Sequence, residues 1–337
     1  MKRIQIGRTS LLLAALSAAS LAYAAQPAGA PPGMGPPPGI GQGPGPGGPG
    51  GPGGPGGPGG FGGQPSPALP AAEVPAAVAM ARPSEQEVAQ VRTALQRLAA
   101  SDQGALLKKY PDLVQVVPPR PVNSAIIPQL SGQFQNQHQE NLKVAAAGNI
   151  ELLLMGDSIT DWWRRDTGTN AGKAVLDKNF GQWKIANFGI AGDTTQGVLY
   201  RLKSGEGKGF SPRAIMLMIG TNNTGRNTAG EIAEGIGAVV LELRRDFPQA
   251  KILLLAVFPR GAAANDPIRE TIADINRRIS KLHDGTNVHY LDISSKFLDA
   301  QGNIPRDVMA DALHPTTKGY EIWAEAVKEP LTKLMAR

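Results

Sequence analysis

Ser158 stands in a sequence context that suits a nucleophile. It follows Gly156 and Asp157, directly after an apolar run at 150–155. At such a strand-to-helix turn, a serine can present its hydroxyl to a ligand while its own backbone N–H faces a developing negative charge. Serine is also a favoured helix cap, and Gly-Asp-Ser is short enough to occur by chance. The tripeptide is therefore a candidate active-site motif, and catalysis would also need a general base for the serine.

A serine hydroxyl is a weak nucleophile, so it needs a base, and a histidine base needs a group that fixes its tautomer. The chain has four histidines, of which His314 stands three residues after Asp311. On one turn, this spacing can bring the carboxylate to one imidazole nitrogen and leave the other free. Pro315 disfavours helix at His314, so we expect the ring on a loop. Taken alone, the pair could also be an ordinary contact on an exposed turn.

Acyl transfer also needs hydrogen-bond donors for the oxyanion. Two further loops, at 187–193 and 220–223, follow predicted strands and carry suitable residues. Gly192 can offer an unobstructed backbone N–H, and Asn222 can offer a side-chain amide. Glycine turns and asparagine caps are common in themselves, but here they follow Ser158 in order at successive strand ends.

Strands and helices alternate around these residues. Nearly continuous apolar runs, typical of parallel strands buried on both faces, occur at 150–155, 214–219, 251–258 and 288–291. Capping signals at Thr228 and Asp266 begin amphipathic helices between them. We therefore predict an α/β fold, a three-layer α/β/α sandwich with a mostly parallel central sheet, in which ligands bind at the carboxyl ends of the strands.

Taken together, the motifs strongly resemble the SGNH, or GDSL-type, hydrolase family, whose fold is flavodoxin-like. Its four blocks match Gly156 to Ser158, Asn187 to Gly192, Gly220 to Asn222 and Asp311 to His314. The resemblance covers about residue 150 to the C-terminus. The run at 187–195, with 199–202 after it, is similar to the catalytic subunits of platelet-activating-factor acetylhydrolases.

The resemblance implies a role for each matching residue. Ser158 attacks the ester, His314 shuttles the proton and Asp311 orients His314. The backbone N–H groups of Ser158 and Gly192 and the side chain of Asn222 form the oxyanion hole. The resemblance further implies a metal-independent mechanism without a cofactor.

Acidic and aromatic residues also lie beside these motifs. Asp157, Asp161 and Asp193 are interpreted as braces that hold the loops through hydrogen bonds. Asp161 and the pair Trp162-Trp163 could instead border the substrate, although large aromatic side chains more commonly pack in a core.

The N-terminus has the order of a secretory signal peptide, with basic residues, then an apolar run from Leu11 to Ala24, then small residues. We expect residues 1–24 to be removed by cleavage near Ala24 or Ala25 and the protein to be secreted or periplasmic. A membrane anchor is the alternative, but the run is shorter than the roughly 20 residues that cross a bilayer. No later segment predicts a stable membrane span.

Residues 25–82 are predicted to be a disordered Gly/Pro-rich tether. Between residues 31 and 63 lie 18 of the 42 glycines and 11 of the 29 prolines, a composition that cannot bury a core. Residues 83–147 are predicted to be a helical N-terminal extension that packs on the domain, beginning with a capping box at Ser84. Residues 148–337 are then the hydrolase domain.

Composition limits the possible partners. The net charge of +6 is not concentrated in a cluster, so we expect no nucleic acid partner. The absence of cysteine excludes disulfides and thiolate metal sites. The expected partner is a small-molecule or glycan ester substrate, while the oligomeric state stays open.

Three functional hypotheses follow. The first is an exported serine ester hydrolase that cleaves short-acyl esters, with acetyl preferred. The second is an O-acetyl esterase that acts on an extracellular or cell-wall polysaccharide. The third, from a different class, is a non-catalytic binding module on a tether; intact Ser158, Asp311 and His314 count against it.

Overall fold

A computed structural model describes residues 63–110, 116 and 122–336. The predicted signal peptide and the tether up to residue 62 lie outside the described residues. The described residues belong to two compact units, one with residues 83–110 and the other with residues 63–82 and 122–336. No helix in these ranges is both long and apolar enough to cross a bilayer.

The first unit contains two helices, α1 (Glu85–Ala100) and α2 (Ala105–Lys109). Ser84 caps α1 by accepting a hydrogen bond from the N–H of Glu87, whose side chain accepts in return from the N–H of Ser84. The capping box predicted from the sequence is therefore present.

The second unit is organised around a five-stranded sheet in which every pairing is parallel. Its strands are β1 (Leu152–Gly156), β2 (Ile185–Asn187), β3 (Ala214–Met218), β4 (Lys251–Leu255) and β5 (Val288–Leu291). Their order in the sheet is β2-β1-β3-β4-β5. The chain thus leaves β1 in one direction to make β2 and returns past β1 to make β3. The carboxyl ends of these strands form the switch point at which open α/β sheets bind ligands.

Helices cover both faces of the sheet. They are α3 (Gln135–Ala147), α4 (Ser158–Asp161), α5 (Lys173–Phe180), α6 (Thr195–Arg201), α7 (Ala229–Asp246), α8 (Pro267–Ile279) and α9 (Thr317–Met335). Strand residues such as Leu153 and Ile215 share a core with α6, α7 and α8. Their neighbours Leu152 and Met216 pack on the opposite face with α5 and α9. The predicted three-layer α/β/α sandwich is confirmed.

Both helices predicted from capping signals begin where the sequence indicates. Thr228 and Glu231 form the capping box of α7. Asp266 caps α8, and Pro267 occupies its first turn. These caps satisfy backbone N–H groups that have no partner within the helix.

The predicted end of the tether at Arg82 needs correction. From Ser66 to Ala72 the chain runs beside residues 126–130, with Ser66 N–H donating to Leu130 O and Ala72 N–H donating to Ile126 O. We call residues 63–82 the strap. Val78, within the strap, is buried in the sheet core. The strap is thus part of the compact unit. The sequence did not reveal this, because the strap is attached through backbone hydrogen bonds and small apolar side chains and has no helical periodicity.

The predicted domain boundary at residue 148 also changes. Residues 122–147 belong to the same compact unit as the sheet, while residues 83–110 belong to the other unit. The predicted extension at 83–147 is therefore divided between the two units. Its second part, residues 122–147, belongs to the hydrolase domain.

Candidate active site

The turn after β1 places Ser158 at the start of α4. A Cβ on Gly156 would lie 2.2 Å from Thr160 Oγ1 and 2.3 Å from Met218 O, so only glycine fits there. Asp157 then caps the helix, with its Oδ1 accepting from Ile159 N–H at 3.0 Å. The backbone N–H of Ser158 lies in the first helical turn, where it has no carbonyl partner within the helix. It is therefore available to an anionic ligand.

The structure brings Ser158, His314 and Asp311 together. Ser158 Oγ lies 2.9 Å from His314 Nε2. His314 Nδ1 lies 2.6 Å from Asp311 Oδ2. Because an ionised carboxylate only accepts, Nδ1 must carry the proton, and Nε2 is left free to accept from the serine hydroxyl. This is the arrangement in which a histidine acts as a base.

The loop that carries His314 is folded around Asp311. Asp311 Oδ1 accepts from the N–H groups of Leu313 and His314 at 3.1 and 2.8 Å. Ala312 between them has a left-handed φ of 55°. Partial burial alone would raise the pKa of Asp311, but the hydrogen bonds from His314 and the loop N–H groups outweigh it and hold that pKa below its ordinary value. The carboxylate is therefore ionised at neutral pH.

Trp162 and Asp161 have separate contacts. The ring of Trp162 stacks on that of His314, with centroids 4.1 Å apart. Asp161 forms an ion pair with Arg164, whose guanidinium donates to Gly189 O at 2.8 Å. Asp161 is thus connected through Arg164 to the loop at 187–193.

Trp163 does not border a substrate. Its side chain is fully buried, with Tyr320 at 4.4 Å and Trp323 at 5.0 Å between ring centroids. Tyr320 in turn donates its hydroxyl proton to Ile159 O at 2.8 Å, which ties α9 to the helix of the nucleophile. The expectation that both tryptophans could line the site is therefore wrong for Trp163.

The loop at 187–193, which follows β2, exposes Gly192 and buries Asp193. Gly192 has a φ of 87°, a conformation that favours glycine. The carboxylate of Asp193 is fully buried and accepts from Thr194 N–H at 2.8 Å and from Arg201 Nε at 3.0 Å. Asp193 therefore holds the loop from inside, as a brace.

Behind Asp193 lies a buried ionic network that the sequence analysis did not identify. Arg201 is fully buried and pairs with both Asp193 and Glu206. Glu206 accepts from His138 at 2.8 Å, measured from Nδ1 to Oε1. Nothing in the local sequence predicts this contact, because no spacing or motif relates α3 to residues 201–206.

Asn222 lies on the turn after β3, beside the second loop. Its Nδ2 donates one hydrogen to Asp193 O at 2.8 Å, which leaves the second hydrogen for another acceptor. Ser158, Gly192 and Asn222 thus follow the three adjacent strands β1, β2 and β3. The sheet order brings the three predicted oxyanion donors to one end of the sheet.

Asp157 is a buried carboxyl group one residue from Ser158. Burial raises its pKa to about 7, and the neighbouring Asp193 adds to this effect while Arg260 opposes it. In the part of the chain that the structure describes, its Oδ2 has no hydrogen-bond partner. Asp157 is therefore a buried structural cap of α4 whose carboxyl group is held near the midpoint of its titration at neutral pH.

Two polar cavities flank Asn222. One, of about 380 Å³, lies beside Gly192 and the loop at 129–134, and its lining includes six residues that carry side-chain amides, Gln129, Gln133, Gln196, Asn222, Asn223 and Asn227. We call it the amide-lined cavity. The other, of about 620 Å³, extends past Arg260 towards Asp311. Within the described ranges, no group of three His, Asp or Glu side chains is placed to hold a metal ion.

Comparison with known proteins identifies the family of the chain. The GDSL-like Lipase/Acylhydrolase family matches residues 154–322. Platelet-activating factor acetylhydrolase IB subunit alpha2 of Rattus norvegicus is 34% identical over 220 residues, which cover 63% of this chain and 92% of that protein. The alpha1 subunit of Homo sapiens is 30% identical over 220 residues, with coverages of 65% and 90%.

Among solved structures, an acetylxylan esterase from Geobacillus stearothermophilus is 22% identical, with a TM-score of 0.45 and coverages of 56% and 95%. The family match spans half of the chain and includes Ser158, Gly192, Asn222, Asp311 and His314. The chain therefore belongs to the GDSL-like lipase/acylhydrolase family and is a carboxylic ester hydrolase.

Proposed function

We propose that the protein is an exported serine esterase that removes short acyl groups, acetyl above all, through an acyl-serine intermediate. The observation that carries this proposal is the continuous hydrogen-bond path from Ser158 through His314 to Asp311. Export is supported by the signal-like order of residues 1–24.

The proposed reaction has two displacement steps. Ser158 Oγ attacks the ester carbonyl carbon while His314 Nε2 takes the hydroxyl proton. The tetrahedral intermediate collapses as His314 passes that proton to the oxygen of the leaving alcohol. A water molecule then attacks the acyl carbon, His314 takes its proton and returns it to Ser158 Oγ, and the carboxylic acid leaves.

The negative charge that forms on the carbonyl oxygen needs fixed donors. We assign this role to the N–H groups of Ser158 and Gly192 and to the free hydrogen of Asn222 Nδ2. The hydrogen bond from Asn222 to Asp193 O fixes the amide plane before substrate binds. Such preorganised donors stabilise the transition state without reorganisation during the reaction.

The preference for acetyl rests on relatives. Two relatives that match over at least 90% of their length are named platelet-activating factor acetylhydrolase subunits. The decisive experiment compares the mature protein with Ser158→Ala on p-nitrophenyl esters of increasing acyl length. We expect the rate to be highest for acetate, to fall with chain length, and to be lost in Ser158→Ala. Equal rates for the two proteins would refute the assignment and favour the non-catalytic binding module.

A second candidate function is removal of O-acetyl groups from a polysaccharide. The observation that favours it is the amide-lined cavity beside Gly192, because amide side chains both donate to and accept from hydroxyl groups. Acetylated oligosaccharides and p-nitrophenyl acetate, assayed on the same preparation, separate the two candidates. A much higher kcat/KM on the oligosaccharide would favour the polysaccharide.

A further inference from the structure

The strap is held in place along its whole length. Beyond the hydrogen bonds to Leu130 and Ile126, the N–H of Leu69 donates to Pro128 O at 2.9 Å. The buried hydroxyl of Ser66 accepts from Leu130 N–H at 2.8 Å. A free tether would make none of these contacts, so this stretch is a fixed structural element.

The end of the strap is fastened by a buried carboxylate on α7. Glu234 is fully buried and accepts from Met80 N–H at 2.9 Å and from both terminal nitrogens of Arg82, at 3.0 and 2.7 Å. Asn123 Nδ2 donates to the same carboxylate at 2.8 Å. Burial would raise the pKa of Glu234, but the hydrogen bonds from Arg82, Met80 and Asn123 hold it below its ordinary value. The fastening is therefore charged at neutral pH.

The loop beside the strap contacts the residues that surround the oxyanion donors. The N–H of Gln129 donates to Gln196 O at 3.1 Å. Leu130 and Phe134 pack with Ile190, which belongs to the loop of Gly192. A Cβ added to Gly192 would lie 3.3 Å from Phe134 Cζ. The strap is thus connected to the loop of Gly192 through the residues at 129–134.

The strap also forms part of the cavity wall directly. Pro65 lines the amide-lined cavity together with Leu130 and Phe134, as Gly192 and Asn222 also do. The wall includes Arg226 as well, whose guanidinium has no ion-pair or hydrogen-bond partner among the described residues. The cavity therefore offers amides and one cation beside the oxyanion donors, closed on one side by a segment that precedes the family match at 154–322.

We propose that the strap is a specificity-determining wall, which together with the loop at 129–134 makes the amide-lined cavity a subsite for the hydroxyl-bearing part of an ester substrate, such as a sugar ring. This inference rests on the proposed function of Ser158. It predicts that displacement of the strap weakens binding of a sugar ester while hydrolysis of a small aryl ester continues.

Gly132 provides the means to displace the strap. A Cβ there would lie 1.7 Å from Gly63 O and 2.7 Å from Gln64 O, so Gly132→Ala must push the start of the strap away from the loop. Gly225 is the matched control, because its Cβ would meet nothing within 4 Å. Neither glycine belongs to the proposed catalytic machinery.

The test measures kcat and KM of wild type, Gly132→Ala and Gly225→Ala on a partially acetylated disaccharide and on p-nitrophenyl acetate. For Gly132→Ala we expect KM on the disaccharide to rise about tenfold and kcat on p-nitrophenyl acetate to stay within about twofold. Gly225→Ala should match the wild type on both. Equal effects of Gly132→Ala on both substrates, or no effect on either, would overturn the proposal.

A binding measurement keeps the proposal testable even if hydrolysis fails. Calorimetric titration of the unacetylated disaccharide into Ser158→Ala and into the double variant Ser158→Ala/Gly132→Ala should give an affinity about tenfold lower for the double variant. Equal affinities would overturn the subsite. A wild-type protein that binds the sugar in this strap-dependent way but hydrolyses no ester would refute the proposed function and leave the subsite standing.

Discussion

The indole of Trp162 lies against the imidazole of His314, with ring centroids 4.1 Å apart and planes inclined by 27°. The guanidinium of Arg165 lies 3.5 Å from the centre of the Trp162 ring. Two groups this close to one ring cannot share a face, so Trp162 is enclosed between Arg165 and His314. The side chain of Asp311 is 54% exposed. The hydrogen bond to Asp311 alone would let the imidazole of His314 tilt. Stacking against the indole of Trp162 restricts this tilt.

We therefore expect Trp162→Leu to lower kcat by roughly fivefold, because about 1 kcal/mol of stacking energy no longer holds His314 in line with Ser158. KM for p-nitrophenyl acetate should change little. Trp162→Phe, which preserves an aromatic face, should recover most of the rate. A Phe variant as slow as the Leu variant would show that stacking does not position His314.

Asn222 offers a second test, aimed at the oxyanion. Asn222→Ala removes one donor and should lower kcat by on the order of 10²–10³. Asn223→Ala is the control, because the amide of Asn223 is directed into a buried network with Gln196 and Asn227. It should lower the stability of the protein and change kcat by only a few-fold. Steady-state kinetics on p-nitrophenyl acetate compare the two, and similar losses in kcat would contradict the assignment of Asn222.

The sequence predicted the sheet and the position of the candidate nucleophile because both depend on local pattern. Parallel strands buried on both faces are continuous apolar runs, so their ends could be located within a few residues. Residues that follow neighbouring strands must meet at one edge of the sheet. Ser158 and Asn222 could be grouped on that basis, because apolar runs precede both. The strand before Gly192, Ile185–Asn187, is too short to show as an apolar run, and Gly192 was grouped with them through the resemblance to the hydrolase family.

Features that depend on side-chain direction or on distant contacts were not predictable. Trp162 and Trp163 are adjacent on one short turn, yet one stacks on His314 and the other is buried in the core. The strap has neither helical nor strand periodicity, since much of its attachment is through backbone atoms. The network around Arg201 joins residues far apart in the chain, and no sequence spacing records it.

Arg201 provides a test of stability. It is the cation that the fully buried carboxylates of Asp193 and Glu206 share. Arg201→Met should lower the free energy of unfolding by roughly 3–5 kcal/mol, since it leaves buried charges without their partner. Lys318→Met is the control, because the ion pair of Lys318 with Asp307 is exposed on both sides and should contribute little to stability. Urea denaturation at pH 7 measures both, and equal losses would mean that the buried network contributes no more than a surface pair.

Asp157 provides a test in which stability depends on pH. Its pKa is about 7 in the folded protein, against an ordinary value of 3.8, because burial disfavours the carboxylate. The folded state therefore keeps a proton that the unfolded state loses. The contribution of Asp157 to stability is fully present below pH 4 and is lost as the pH rises to 7. At 1.36 kcal/mol per unit of pKa, the loss is on the order of 4 kcal/mol at most.

Asp157→Asn removes this titration while an amide oxygen can still cap α4 through the N–H of Ile159. Relative to wild type, the variant should gain stability steadily between pH 4 and 7 and show a constant advantage above pH 7. Denaturant unfolding at pH 4.5, 6 and 8 measures the difference. A difference between Asp157→Asn and wild type that does not vary with pH would mean that the buried carboxyl is already ionised at acidic pH, and that Arg260 stabilises its charge more than burial opposes it.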